Sequence, residues 1–181
     1  MQPKFTMEQL SNLFKTSVII FFSKETNNIM SGVSEQSLCG RLALYLEMNF
    51  KNYEIIGNYY ADTEYNRKQN GKIKTILDGN ERVIQISSDL LVHSRGEACP
   101  DNLITIEMKK SSRPLAHKIK DKIRLQAMTK KTDVWSWDGT DREHVSGYIL
   151  GIYMEIDQAK RTCKFEKYKG GNVIEKWIQP F

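Results

Sequence analysis

Asp89, Glu107 and Lys109 are the residues of this chain whose types and spacing could do chemistry. They lie in residues 83–111, VIQISSDLLVHSRGEACPDNLITIEMKKS, where two runs of alternating apolar residues flank a polar loop holding Gly96 and Pro100. That pattern predicts an antiparallel hairpin. With the loop centred near Ala98, Asp89 falls opposite Glu107, while Leu90 and Val92 fall opposite Ile106 and Ile104. Side chains alternate faces along a strand. Leu90, Val92, Ile104, Ile106 and Met108 would then share a buried face, and Asp89, His93, Glu107 and Lys109 the other. A slip of one residue would send those charges into the core.

Two facing carboxylates repel unless a proton or a cation sits between them. Magnesium suits such a pair, because it takes oxygen ligands, commonly one or two carboxylates completed by water and substrate phosphate. Lys109, two residues past Glu107 on the same face, could hold or deprotonate a metal-bound water beside a scissile phosphate. The same three residues also fit an ordinary cross-strand charge pairing on a solvated face. Residue types alone leave both open.

The order of an aspartate and then Glu-x-Lys in the next strand, here IEMK, resembles the PD-(D/E)XK nuclease superfamily. The wider set SEQSLCGRLALYLE, TEYNR, SDLLVHSRG, NLITIEMKKS and DKIRLQAMT, within residues 34–129, is similar to a group of small stand-alone members. Ser88 stands where the family name has proline. The resemblance implies an α/β fold with a restriction-endonuclease-like core, a mixed β-sheet flanked by α-helices. It implies a magnesium-dependent nuclease, with manganese able to substitute, that hydrolyses phosphodiester bonds of nucleic acid, DNA ahead of RNA.

Residue by residue, the resemblance implies that Asp89 and Glu107 hold the metal with the backbone carbonyl of Met108. Lys109 would orient or activate the attacking water, and Glu35, from the first helix of the matched region, would add an acid. Glu64 would join the acidic cluster and Arg67 would touch phosphate, and Asp121 matches the DKIRL element. His93 on the presumed metal face would contact phosphate or fix a loop that Arg95 and Gly96 shape. Lys110 and Arg124 belong to a basic run, 109–124, that could meet the phosphate backbone or simply face solvent. The competing reading is a non-catalytic module of the same fold that binds nucleic acid or protein. A third is a nuclease subunit that works as a homodimer or with a partner protein.

Bulk properties permit these readings. The chain of 181 residues carries 27 basic and 22 acidic side chains, a formal charge of +5, compatible with a polyanionic partner. It is expected to form one domain, with an N-terminal helical segment 6–31, a nuclease-like core 34–156 and C-terminal strands 160–181. Cys39, Cys99 and Cys163 are widely spaced and form no CxxC pair, so neither a disulfide framework nor a zinc site is indicated. No apolar run approaches the ~20 residues of a membrane span, and a cytoplasmic location is expected. His93, His117 and His144 lack zinc-hydrolase spacing, and GxGxxG, GK[ST] and GxSxG are all missing from the sequence.

These residues need elements to position them. Thr6 and Gln9 form a capping-box pattern ahead of a helix that Gly32 ends, and Ser34 caps a second, striped by Leu38, Leu42, Tyr45 and Leu46. Residues 53–60 read as a strand and 67–79 as a polar loop or hairpin. From Pro114 a helix is expected, with Leu115, Ile119, Ile123 and Ala127 as its packing stripe. Asp121, Arg124 and Gln126 could face the site from it. Trp135 and Trp137 fit either base stacking or anchoring of a loop. Residues 146–156, 161–168 and the tail read as three strands, the first of them central.

Overall fold

The computed structural model describes residues 5–64, 88–130 and 146–181, together with the backbone of two short strands at 75–77 and 83–85. Arg67, Trp135, Trp137 and His144 lie outside the described residues. Two helices, α1 (Met7–Met30) and α2 (Glu35–Asn49), precede β1 (Tyr60–Thr63), β2 (Thr75–Leu77), β3 (Val83–Gln85), β4 (Leu90–His93) and β5 (Asn102–Lys110). Helix α3 (Leu115–Thr129) then leads to β6 (Leu150–Asp157), β7 (Thr162–Lys169) and β8 (Asn172–Pro180). The main sheet runs β1-β4-β5-β6-β7-β8, while β2 and β3 pair separately. Only β5 and β6 are parallel in the main sheet, joined across α3, as a parallel pair requires a crossover. This is an α/β protein with a mixed sheet between helices.

Both N-terminal helices start as the sequence predicts. Thr6 and Gln9 bond reciprocally in a capping box, and the Ser34 hydroxyl accepts the Ser37 amide. Their apolar stripes (Leu10, Phe14, Phe21; Leu38, Leu42, Leu46) are fully buried against Leu90, Val92, Ile104, Ile106 and Met108 of the sheet. The N-terminal helix therefore shares one core with α2 and the main sheet. Glu25 of α1 is buried in that layer, accepting the Tyr45 hydroxyl, Arg41 Nε at 2.7 Å and Asn28 Nδ2 at 2.6 Å. Burial alone would raise its carboxyl, but the Tyr45, Arg41 and Asn28 bonds outweigh burial and hold it below the usual range. A carboxylate depressed in the native state stabilises above its unfolded value and loses that contribution as pH falls through the native one. Glu25→Gln is expected to cost about 2 kcal/mol at neutral pH and to flatten the acid limb of stability. Thermal melts between about pH 3 and pH 7 would check both.

Three expectations fail. Residues 53–60 are no strand: a 3-10 turn, Phe50–Tyr53, leads into irregular chain in which Glu54 and Gly57 have positive φ, and pairing starts only at Tyr60. Gln9 and Thr16 of α1 grip Tyr53 through its carbonyl and hydroxyl, which fixes the chain there. The first arm of the hairpin is shorter than predicted, because Val83–Gln85 pairs with Thr75–Leu77 instead of extending β4. Helix α3 is turned over. Leu115, Ile119 and Ile123 are exposed, 71 % for Leu115, whereas Asp121, Leu125, Ala127 and Met128 are buried. Gly151 of β6 makes room for the last turn of α3, since a Cβ there would stand 2.7 Å from Thr129 Cγ2.

Candidate metal and phosphate site

The predicted hairpin register is the observed one, with Leu90 opposite Ile106 and Val92 opposite Ile104. Parity therefore sends Thr105, Glu107 and Lys109 of β5 to the face that α3 covers, and the chain just before β4 brings Asp89 beside them. Asp89 sits on a bend at the mouth of the hairpin, 24 % exposed. Its Oδ2 accepts the Met108 amide at 2.9 Å and Lys109 Nζ at 3.1 Å. Lys109 Nζ also lies 3.3 Å from the Met108 carbonyl oxygen and 3.2 Å from Asp121 Oδ2. The Asp89 carboxylate and the Met108 carbonyl thus already converge on one cation.

Glu107 is fully buried. Ser88 Oγ donates to its Oε1 at 2.9 Å, and Arg124 Nη1 reaches both of its oxygens, at 3.1 and 3.3 Å. The other guanidinium nitrogen, Nη2, donates to Asp121 Oδ1 at 2.8 Å. Burial pushes the Glu107 carboxyl well above its ordinary range, the Asp89 carboxylate adds to this, and Arg124 and Lys109 offset only part. Asp121 is raised as well, by burial against the pull of Lys109 and Arg124. For Lys109 burial works downward, but the carboxylates of Asp89, Asp121 and Glu107 win and raise it. In these surroundings Lys109 is a cation and a hydrogen-bond donor.

Beside Asp89 a cleft of about 190 Å³ is lined by Ser34, Glu35, Gln36, Glu64 and Arg113. Glu35, in the first turn of α2, accepts the Lys110 amide and Arg113 Nε, both at 2.9 Å. Burial would raise its carboxyl, but these partners hold it low. Glu64 accepts Gln36 Nε2 at 2.8 Å, and its own amide reaches the Asp89 carbonyl. The structure therefore gathers Asp89, Glu107, Met108, Lys109, Asp121 and Arg124 at one point, with Glu35 and Glu64 across the cleft. His93 and Arg95 stand apart. Both bond Asp62 of β1, and His93 is four residues along the strand from Asp89, about 13 Å.

The basic run divides: Arg113, His117 and Lys120 are exposed, while much of the rest is taken up by carboxylates. Lys109, Arg113, Lys118, Lys122 and Arg124 are all paired with carboxylates, and the Lys110 ammonium bonds the Gly32 carbonyl. Sequence reasoning gave Gln36 no role, noted Ser88 only as standing where the family name has proline, and counted Arg113 only as part of the basic run. Ser88 neighbours Asp89, so strict alternation would aim it at the opposite face. The bend at 88–89 precedes β4, and alternation does not hold there.

The donor set fits magnesium in kind: two carboxylates and a backbone carbonyl, all oxygen, with water and phosphate to complete the shell. Among the described residues no three His, Cys, Asp or Glu side chains are grouped to hold a metal by themselves. No helix among them is long and apolar enough to cross a membrane. No protein-family model, curated protein or solved structure matches this chain.

Proposed function

We propose that the chain is a magnesium-dependent nuclease with a restriction-endonuclease-like core, acting in the cytoplasm on nucleic acid, DNA ahead of RNA. One observation carries the reading. Asp89 Oδ2 and the Met108 carbonyl converge on the Lys109 ammonium at the edge of an open cleft, with a second, buried carboxylate, Glu107, behind them. Asp89, Glu107 and the Met108 carbonyl would hold magnesium, which when bound supplies a Lewis acid that stabilises charge on phosphate oxygens. Lys109 donates hydrogen bonds that orient the attacking water, a positioning task suited to its raised proton affinity. Glu35, kept ionised by Arg113, and Glu64 line the cleft as supporting groups.

The second reading, a binding module that keeps its acids as structural groups, draws on Arg124, which already covers both Glu107 oxygens. One assay separates the two. Single- and double-stranded DNA and RNA are incubated with the protein in Mg²⁺, Mn²⁺ or EDTA. Cutting of any of them that EDTA abolishes is the expected result. Binding without cutting, equal in metal and in EDTA, would replace the nuclease by the module.

A further inference from the structure

We infer that Arg124 and a divalent cation compete for Glu107, the guanidinium standing in for the metal whenever none is bound. The inference rests on the nuclease reading above and assigns that site its own internal gate. Arg124 Nη1 touches both Glu107 oxygens, at 3.1 and 3.3 Å, so it covers the edge a metal would use. Ser88, which also donates to Glu107, is fully buried and uncharged. Arg124, 21 % exposed, is the partner that is both charged and in reach of solvent.

A place to move to is already built. Nη2 holds Asp121 Oδ1 at 2.8 Å, one helical turn back in α3, so the guanidinium can release Glu107 and stay paired. Departure without replacement would leave a buried anion uncompensated, a costly state. Release of Arg124 is therefore coupled to arrival of another cation, and the coupling is reciprocal: what the metal does to Arg124, Arg124 does to the metal. Lys109 stands differently. It sits against Asp89 and Asp121, and its ammonium donates to Asp89 Oδ2 and the Met108 carbonyl.

The test is Mn²⁺ binding followed by calorimetry at fixed ionic strength, comparing the native chain with Arg124→Met, Arg124→Lys and Glu107→Gln. Arg124→Met is expected to bind Mn²⁺ roughly tenfold more tightly, the scale of one charge-assisted hydrogen-bonded pair. Arg124→Lys should gain less, and Glu107→Gln should bind more weakly than the native chain. Unchanged or weaker binding in both arginine variants, with the native chain still binding, overturns the competition and leaves the nuclease reading standing. No Mn²⁺ binding by any of the four overturns both. Should Arg124→Met fail to fold, the native chain still answers: saturating Mg²⁺ is expected to shift the Arg124 Nε–Hε resonance, and an unmoved resonance beside bound metal defeats the proposal.

Discussion

Glu107→Gln is expected to melt higher than the native chain at neutral pH and to lose metal-dependent cleavage altogether. Within the cluster three carboxylates, Asp89, Glu107 and Asp121, face two cations, Lys109 and Arg124. Removing the charge of Glu107 balances the set. Glutamine keeps one oxygen for the Ser88 hydroxyl and the 3.1 Å Arg124 Nη1 bond. The 3.3 Å contact, where its amide nitrogen would face the guanidinium, is lost, and so is the burial of an anion. The sign follows from the raised native carboxyl. Unfolded Glu107 loses its proton near its ordinary value, 4.5, whereas the native group holds it to higher pH. Stability therefore falls as pH rises from about 4.5 toward the native value, and Glu107→Gln lacks that decline. The gain should grow from acid toward neutral pH and read as a melting temperature raised by several degrees. Melts from acid to neutral pH read it directly. A lower melting temperature for Glu107→Gln at neutral pH would mean that the Arg124 bond outweighs the cost of burial. Loss of cleavage beside gained stability would mark Glu107 as a group held for function against the interest of the fold.

The hairpin was legible because period and charge agree. Leu90, Val92, Ile104, Ile106 and Met108 alternate cleanly, and any odd slip would have buried Glu107 and Lys109 among the apolar layer of α1 and α2. The polar side proved to be buried as well, which alternation does not reveal. Helix α3 shows why. Its i, i+4 row of Leu115, Ile119 and Ile123 is plain in sequence, but the sheet face it covers carries Glu107, Glu155 and Glu166 with Tyr153 and Tyr168. Lys118, Lys122 and Arg124 turn inward to meet those acids, and the apolar row is left outside. Which helix face packs depends on what the sheet presents, and that requires the sheet. The strand expected at 53–60 failed for the opposite reason. Its aromatic and β-branched composition suits a strand, yet α1 pins Tyr53, and the backbone turns through left-handed residues at Glu54 and Gly57. His93 and Arg95 were placed on the correct strand and loop, but Asp62 of β1, a partner distant in sequence, claims both.

Lys109→Met carries the opposite expectation to Glu107→Gln for stability and the same one for activity. Losing the ammonium leaves Asp89 Oδ2, Asp121 Oδ2 and the Met108 carbonyl, now 3.1 to 3.3 Å from it, without their shared cation. The cluster then holds three carboxylates against Arg124 alone, and the melting temperature should drop by several degrees, a cost of about 2–3 kcal/mol. Cleavage should fall about 10²–10³-fold, the scale of removing one donor aimed at a reacting group. A fall in activity could follow from the weakened fold alone, so a second substitution is needed. Asp121→Asn in the Lys109→Met background removes one of the stranded charges and should recover most of the lost stability, the two sites being close enough to couple. If Lys109 positions the attacking water, the double variant is stable and still inactive. If cleavage returns with stability, Lys109 did no more than neutralise Asp121, and the positioning role passes to another group at the cleft.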